Sequence, residues 1–160
     1  MAATILGISL GTKLTGVAII RDAELIDYRV KAFKQRWSKG KQQHILMSIG
    51  KLLEYYNVTH VSVKTPDPLR SSKQLNQLTK KLELFLQRRN VVVHMYSIVT
   101  AKLGMGIKAQ NKNDFMYQIA ERYSELRKKY LKEINNRHSY NEKMFEAIAV
   151  AKWLVIEGEL

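Results

Sequence analysis

Ile5-Leu6-Gly7-Ile8-Ser9-Leu10-Gly11-Thr12-Lys13-Leu14-Thr15-Gly16-Val17-Ala18-Ile19-Ile20 sets two apolar, β-rich runs on either side of a Gly/Thr turn. The pattern predicts a strand, a tight turn and a returning strand. Glu24 to Phe33 then alternates: Leu25, Asp27, Arg29 and Lys31 share one parity, and Ile26, Tyr28, Val30 and Ala32 the other. Such alternation predicts a third strand with one wet face. The chain therefore opens as a three-stranded meander.

Downstream, apolar spacing changes from two to between three and four. Lys34 to Lys41 is basic, carries Trp37 and Gly40, and reads as a loop. His44 to Tyr56 places Ile45, Ile49, Leu52, Leu53 and Tyr56 at helical spacing. His60 to Lys64 is a short strand, stopped by Thr65-Pro66-Asp67-Pro68, because proline lacks the N–H donor and restricts its predecessor. Ser71 or Ser72 can cap the next helix, whose inner face is Leu75, Leu78, Leu82 and Phe85 or Leu86. Val91 to Tyr96 is a buried-type strand, followed by a short helical piece and a loop around Gly104, Gly106 and Asn111-Lys112-Asn113. Asn113 is the expected cap of a helix from Asp114 to Leu131, striped by Phe115, Ile119, Tyr123, Leu126 and Tyr130. A polar break from Ile134 to Ser139 precedes a last helix from Tyr140 to Ile156. This order predicts an α/β fold, a mixed sheet with helices on both faces.

The chain has 160 residues, 46% of them apolar, which suits one domain spanning residues 1–160 with a proper core. It has no cysteine, which excludes disulfides, thiolate metal sites and a cysteine nucleophile. No basic n-region leads into a long apolar h-region, and no apolar run approaches the roughly 20 residues of a membrane span. The expected compartment is the cytoplasm, with no membrane partner. The net charge is +13. A surface this basic points to nucleic acid, with an acidic protein as the rival partner. His44, His60, His94 and His138 lie on different predicted elements and read as surface or packing residues. No Ser, His and Asp spacing suggests a hydrolase triad.

The opening hairpin resembles the first two strands of the RNase H-like superfamily, most closely its RuvC-type, Holliday junction resolvase branch. There an Ile-Leu-Gly-Ile-Asp strand is followed by a glycine turn, Thr-Gly and an apolar strand. Three further places are similar. Val61-Ser62-Val63-Lys64 matches a strand that ends in Glu. Lys143-Met-Phe-Glu146-Ala-Ile-Ala149 matches an Asp, two residues, then Asp-Ala-Leu-Ala on the last helix. Lys108 to Met116, with Lys112, matches a lysine-containing stretch before a helix. The resemblance implies a three-layer α/β/α fold around a five-stranded mixed sheet, its first three strands a meander. It also implies the position of a site in which Mg²⁺ or Mn²⁺ ions would assist phosphodiester cleavage, and that homodimers are expected.

Such ions are hard and take oxygen ligands, and a two-metal site holds them about 3.5–4 Å apart between several carboxylates. Here the family's acidic places read Ser9, Lys64, Lys143 and Glu146. One hydroxyl, two ammonium groups and one carboxylate do not make that ligand set. The first expectation is therefore a cleavage-inactive RuvC-like domain, a pseudonuclease with no catalytic residue and no cofactor, that binds nucleic acid. Its candidate phosphate contacts are Lys13, Lys34, Arg36, Lys39, Lys41, Lys64, Arg70, Lys73, Lys108, Lys112 and Lys143, and Trp37 is a candidate for base stacking. Lys64 is expected to point at Glu146, with Ser9 nearby. A second reading keeps a Mg²⁺- or Mn²⁺-dependent endonuclease on a shifted set of Glu142, Glu146 and Asp67. A third makes the fold a protein-interaction module.

Overall fold

A computed structural model describes residues 2–136 and 139–160; His138 lies outside them. The strands are β1 (Thr4–Ser9), β2 (Leu14–Arg21), β3 (Glu24–Ala32), β4 (His60–Lys64) and β5 (Val92–Tyr96). They form one mixed sheet in the order β3-β2-β1-β4-β5. The meander is antiparallel, whereas β4 joins β1 and β5 joins β4 in parallel. Parallel neighbours need crossovers. Helices α1 (Lys39–Tyr55) and α2 (Lys73–Gln87) supply them.

Both crossover helices pack on one sheet face. Ile45, Ile49, Leu52 and Leu53 of α1 and Leu78, Leu82 and Leu86 of α2 meet Leu6, Ile8, Val17, Ile19, Val61 and Val63 of the sheet. The opposite face carries α3 (Ile98–Gly104), α4 (Lys112–Arg122), α5 (Arg127–Ile134) and α6 (Glu142–Glu157). The three layers are those implied by the resemblance. No helix among the described residues is long and apolar enough to cross a membrane.

The last helix, α6, lies against the centre of the sheet. Met144 to Ala151 are fully enclosed apart from Glu146, itself only 8% exposed. A helix apolar on nearly every side must be surrounded by protein. Its approach depends on small residues. A Cβ at Gly7 would stand 2.1 Å from the Ala147 carbonyl oxygen, and one at Gly16 2.1 Å from the Lys143 carbonyl. Ser62, buried in β4, also donates its hydroxyl to the Val150 carbonyl at 2.7 Å. These contacts fix both the height and the register of α6 over the strands.

Four local expectations are corrected. The third strand changes parity, because a bulge pairs Ile19 with Asp27 but Ile20 with Leu25. Ile26 is the extra residue, and Leu25 therefore joins Tyr28 and Val30 on the core face. The first helix starts at Lys39 on a Ser38 cap, so residues 39–41 are not loop. Asn111, rather than Asn113, caps α4 by accepting the Asp114 N–H at 2.9 Å. The helix expected from Asp114 to Leu131 is broken at Tyr123, whose extended backbone (φ −137°, ψ 100°) leads into a 3₁₀ turn, Ser124–Leu126, and then α5.

Candidate functional site

The C-terminal ends of β1 and β4 meet the first turns of α6. Ser9 ends β1 and is fully buried, Lys64 ends β4, and Lys143 and Glu146 lie one helical turn apart. The four positions singled out in the sequence converge. The Ser9 hydroxyl donates to Glu146 Oε1 at 2.9 Å, and Lys64 Nζ lies 3.0 Å from Glu146 Oε2. Both oxygens of the carboxylate are thus engaged by the chain itself. Lys64 points inward, with 18% of its side chain exposed.

Lys143 takes a different partner. Its ammonium donates to the Leu10 carbonyl at 3.1 Å. Its stem lies over the hairpin turn, where a Cβ at Gly11 would meet Lys143 Cε at 2.5 Å. Among the described residues no carboxylate lies within ion-pair distance of Lys143. Burial pushes its pKa below the ordinary lysine value; Glu146 opposes that shift and Lys64 reinforces it. Gly11 and Thr15 brace the turn beneath it, the Thr15 hydroxyl donating to the Gly11 carbonyl at 3.3 Å.

The residues do not fit a two-metal centre. Glu146, the carboxylate among the four, is saturated by a hydroxyl and an ammonium, and an ammonium repels a divalent cation. The shifted set is not assembled either. Asp67 is exposed and serves its own turn: its Oδ1 accepts the Leu69 N–H at 2.9 Å, and its carbonyl accepts the N–H groups of Arg70 and Ser71. Glu142 accepts the Ser139 hydroxyl at 3.4 Å and stands 4.0 Å from Lys112 Nζ. No three His, Cys, Asp or Glu side chains gather at metal-holding distance among the described residues.

The remaining basic candidates separate by location. Lys13 is exposed on the hairpin turn, Lys39 opens α1, Arg70 lies in the loop after β4, and Lys73 opens α2. The sheet topology brings these positions to the same end as Ser9 and Lys64. Leu14 pairs with Ala32, so the chain leaving β3 for α1 passes beside the hairpin turn. Lys34 and Arg36 are exposed along that passage. Lys112 opens α4 and reaches toward Glu142, while Lys108 is exposed in the preceding loop, its carbonyl accepting from Gln118 at 3.0 Å. Lys41 does not belong to this surface. It is 4% exposed, because the first turn of α1 directs Lys41 and Gln42 to the same side as Ile45. Trp37 is half-buried and packs on the α1–α2 core.

One positioning residue escaped the sequence reading. Glu133 of α5 is 4% exposed, and its two oxygens accept the backbone N–H groups of Tyr140 and Asn141 at 2.7 and 2.9 Å. It satisfies donors just ahead of α6 that would otherwise lack partners, and it places negative charge at a helix N-terminus. Its sequence signal was a lone acid in a basic run, which reads as a solvated face.

The chain is similar in structure to RuvC of Thermus thermophilus in complex with a Holliday junction substrate. The TM-score is 0.74, with 16% identity over 98% of this chain and 95% of that one. A fowlpox virus resolvase in complex with Holliday junction DNA follows at TM-score 0.59 and 14% identity, over 98% of this chain and 99% of that one. The human cytomegalovirus terminase nuclease domain gives 0.53 and 13%, over 96% and 84%. No protein-family model matches the sequence, and no curated protein matches it. The fold is the RNase H-like fold of RuvC type.

Proposed function

We propose that this RuvC-type chain binds nucleic acid through the basic end of its sheet and does not cleave it. The observation that carries the reading is Glu146, whose two carboxylate oxygens are taken by Ser9 and Lys64 where cleavage would require carboxylates open to metal ions. Around that cluster, Lys13, Lys39, Arg70, Lys73, Lys108 and Lys112 supply cations from the hairpin turn, from the starts of α1, α2 and α4, and from the loops before α2 and α4, in a chain of net charge +13. The N-termini of α1 and α2 face the same end and add unsatisfied N–H groups to the positive potential. The cysteine-free sequence suits a reducing cytoplasm.

The test uses the full chain and a synthetic four-way DNA junction. Incubation with Mg²⁺ or Mn²⁺ is expected to leave the junction intact. Binding is expected to weaken steeply with salt, by about a thousandfold between ~50 and ~200 mM if about six phosphates are contacted. Divalent-dependent cutting that disappears in Glu146→Gln would overturn the inactive assignment. Absence of binding to DNA and RNA at low salt would overturn the nucleic-acid assignment.

A further inference from the structure

We propose that Lys143, backed by Lys64, replaces the divalent cations as the seat of one backbone phosphate, so that nucleic acid binds this site without any metal ion. The inference rests on the nucleic-acid reading above and names the group that occupies its centre.

Charge at the cluster does not balance. Lys64 and Lys143 contribute two positive charges, and Glu146 contributes one negative charge, already paired with Lys64 at 3.0 Å. Glu142, the other carboxylate on this stretch of α6, is directed to Ser139 and Lys112. Lys143 is left as a half-buried cation whose recorded polar partner is a neutral carbonyl, that of Leu10. A partly desolvated charge is costly without a counter-charge. An ammonium has several donors, and the Leu10 carbonyl uses one. The remaining donors suit the oxygens of an anion.

The anion's class follows from the surroundings. A carboxylate side chain would be held by one or two cations, whereas a polyanion also engages those at the rim. Lys13 stands on the same hairpin turn as Gly11, over which the Lys143 stem lies. Lys39 and Lys73 open two neighbouring helices at that end of the sheet. A phosphodiester strand crossing this end would meet cations from both faces of the sheet, Lys143 from the α6 face and Lys39 and Lys73 from the α1–α2 face. Gly11 leaves room for the Lys143 stem, since a Cβ there would stand 2.3 Å from the Leu14 carbonyl oxygen and 2.5 Å from Lys143 Cε.

The experiment measures fluorescence anisotropy of a labelled four-way DNA junction, a DNA duplex and a single-stranded RNA, each in excess EDTA and in excess Mg²⁺. Wild-type protein is expected to bind at least one probe as tightly in EDTA as in Mg²⁺. Lys143→Met is expected to bind about tenfold or more weakly, because a charge-assisted contact is lost. It should also lower the slope of log affinity against log salt by about one. Glu146→Gln should act in the opposite direction, binding several-fold more tightly, because it removes the negative charge beside the phosphate. Wild-type binding that requires Mg²⁺ overturns the inference, and that measurement needs no variant. A folded Lys143→Met protein with unchanged affinity and slope also overturns it, as does weaker binding by folded Glu146→Gln. Failure of the wild type to bind any probe in either buffer defeats instead the nucleic-acid reading itself.

Discussion

The backbone of α6 passes Gly16 so closely that a Cβ there would lie 2.1 Å from both the carbonyl carbon and the carbonyl oxygen of Lys143. Neither atom can yield without moving the helix. Gly16→Ala is therefore expected to destabilise the chain by at least the roughly 1–3 kcal/mol typical of overpacking. Gly40→Ala is the contrasting substitution. Its Cβ would meet only the Ser38 hydroxyl oxygen, at 3.7 Å, and alanine suits a helix better, so stability should hold or rise by up to about 1 kcal/mol. Urea unfolding of both proteins checks the pair.

Lys64 and Glu146 form an ion pair with little of either side chain exposed. Removing one partner leaves the other desolvated and unbalanced. Lys64→Met is expected to cost about 1–3 kcal/mol, below the range of about 3–5 for a fully buried pair because part of the lysine still meets water. The double variant with Glu146→Leu should recover most of that loss. A double-mutant cycle by chemical denaturation measures the coupling, and additive losses would contradict it.

Glu133 holds the segment leading into α6 through two backbone N–H groups. Glu133→Gln keeps the shape but removes the charge and one acceptor. The expected loss is about 1.5–3 kcal/mol. Hydrogen exchange should speed up first at Tyr140 and Asn141, before the centre of α6 is affected.

Tyr96 of β5 donates its phenol proton to Glu157 of α6. Burial, and then that hydrogen bond, push its pKa from 10.0 up to about 12. The folded chain retains this proton after the unfolded chain has lost it. The contribution is complete below pH 10 and declines as pH rises toward 12, so stability should fall with pH across that window. Spectrophotometric titration of phenolate absorbance should show a late-titrating component that Tyr96→Phe removes.

The hairpin was legible because its apolar runs and glycines repeat at the spacing of paired strands. The convergence of Ser9, Lys64, Lys143 and Glu146 was legible only through the resemblance, since no local pattern relates three elements so widely separated along the chain. Three features were hidden for separate reasons. The bulge at Ile26 adds a residue without altering composition, so simple alternation assigned Leu25 to the wrong face. The break at Tyr123 interrupts a stripe that remains regular through Tyr130, and neither glycine nor proline marks it. Lys41 is enclosed by the start of α1, although its charge predicts a solvated position.

Gly7, Gly16, Ala147 and Ala151 carry no chemistry, yet they hold α6 at its distance from β1 and β2. The position of the cluster is therefore set by the smallest side chains and its charge by others. Ser9 and Lys64 meet Glu146 on that frame, with Lys143 one helical turn away, and such side chains can be exchanged while the place that gathers them stays the same. A change in the chemistry of this cluster therefore need not change its position over the sheet.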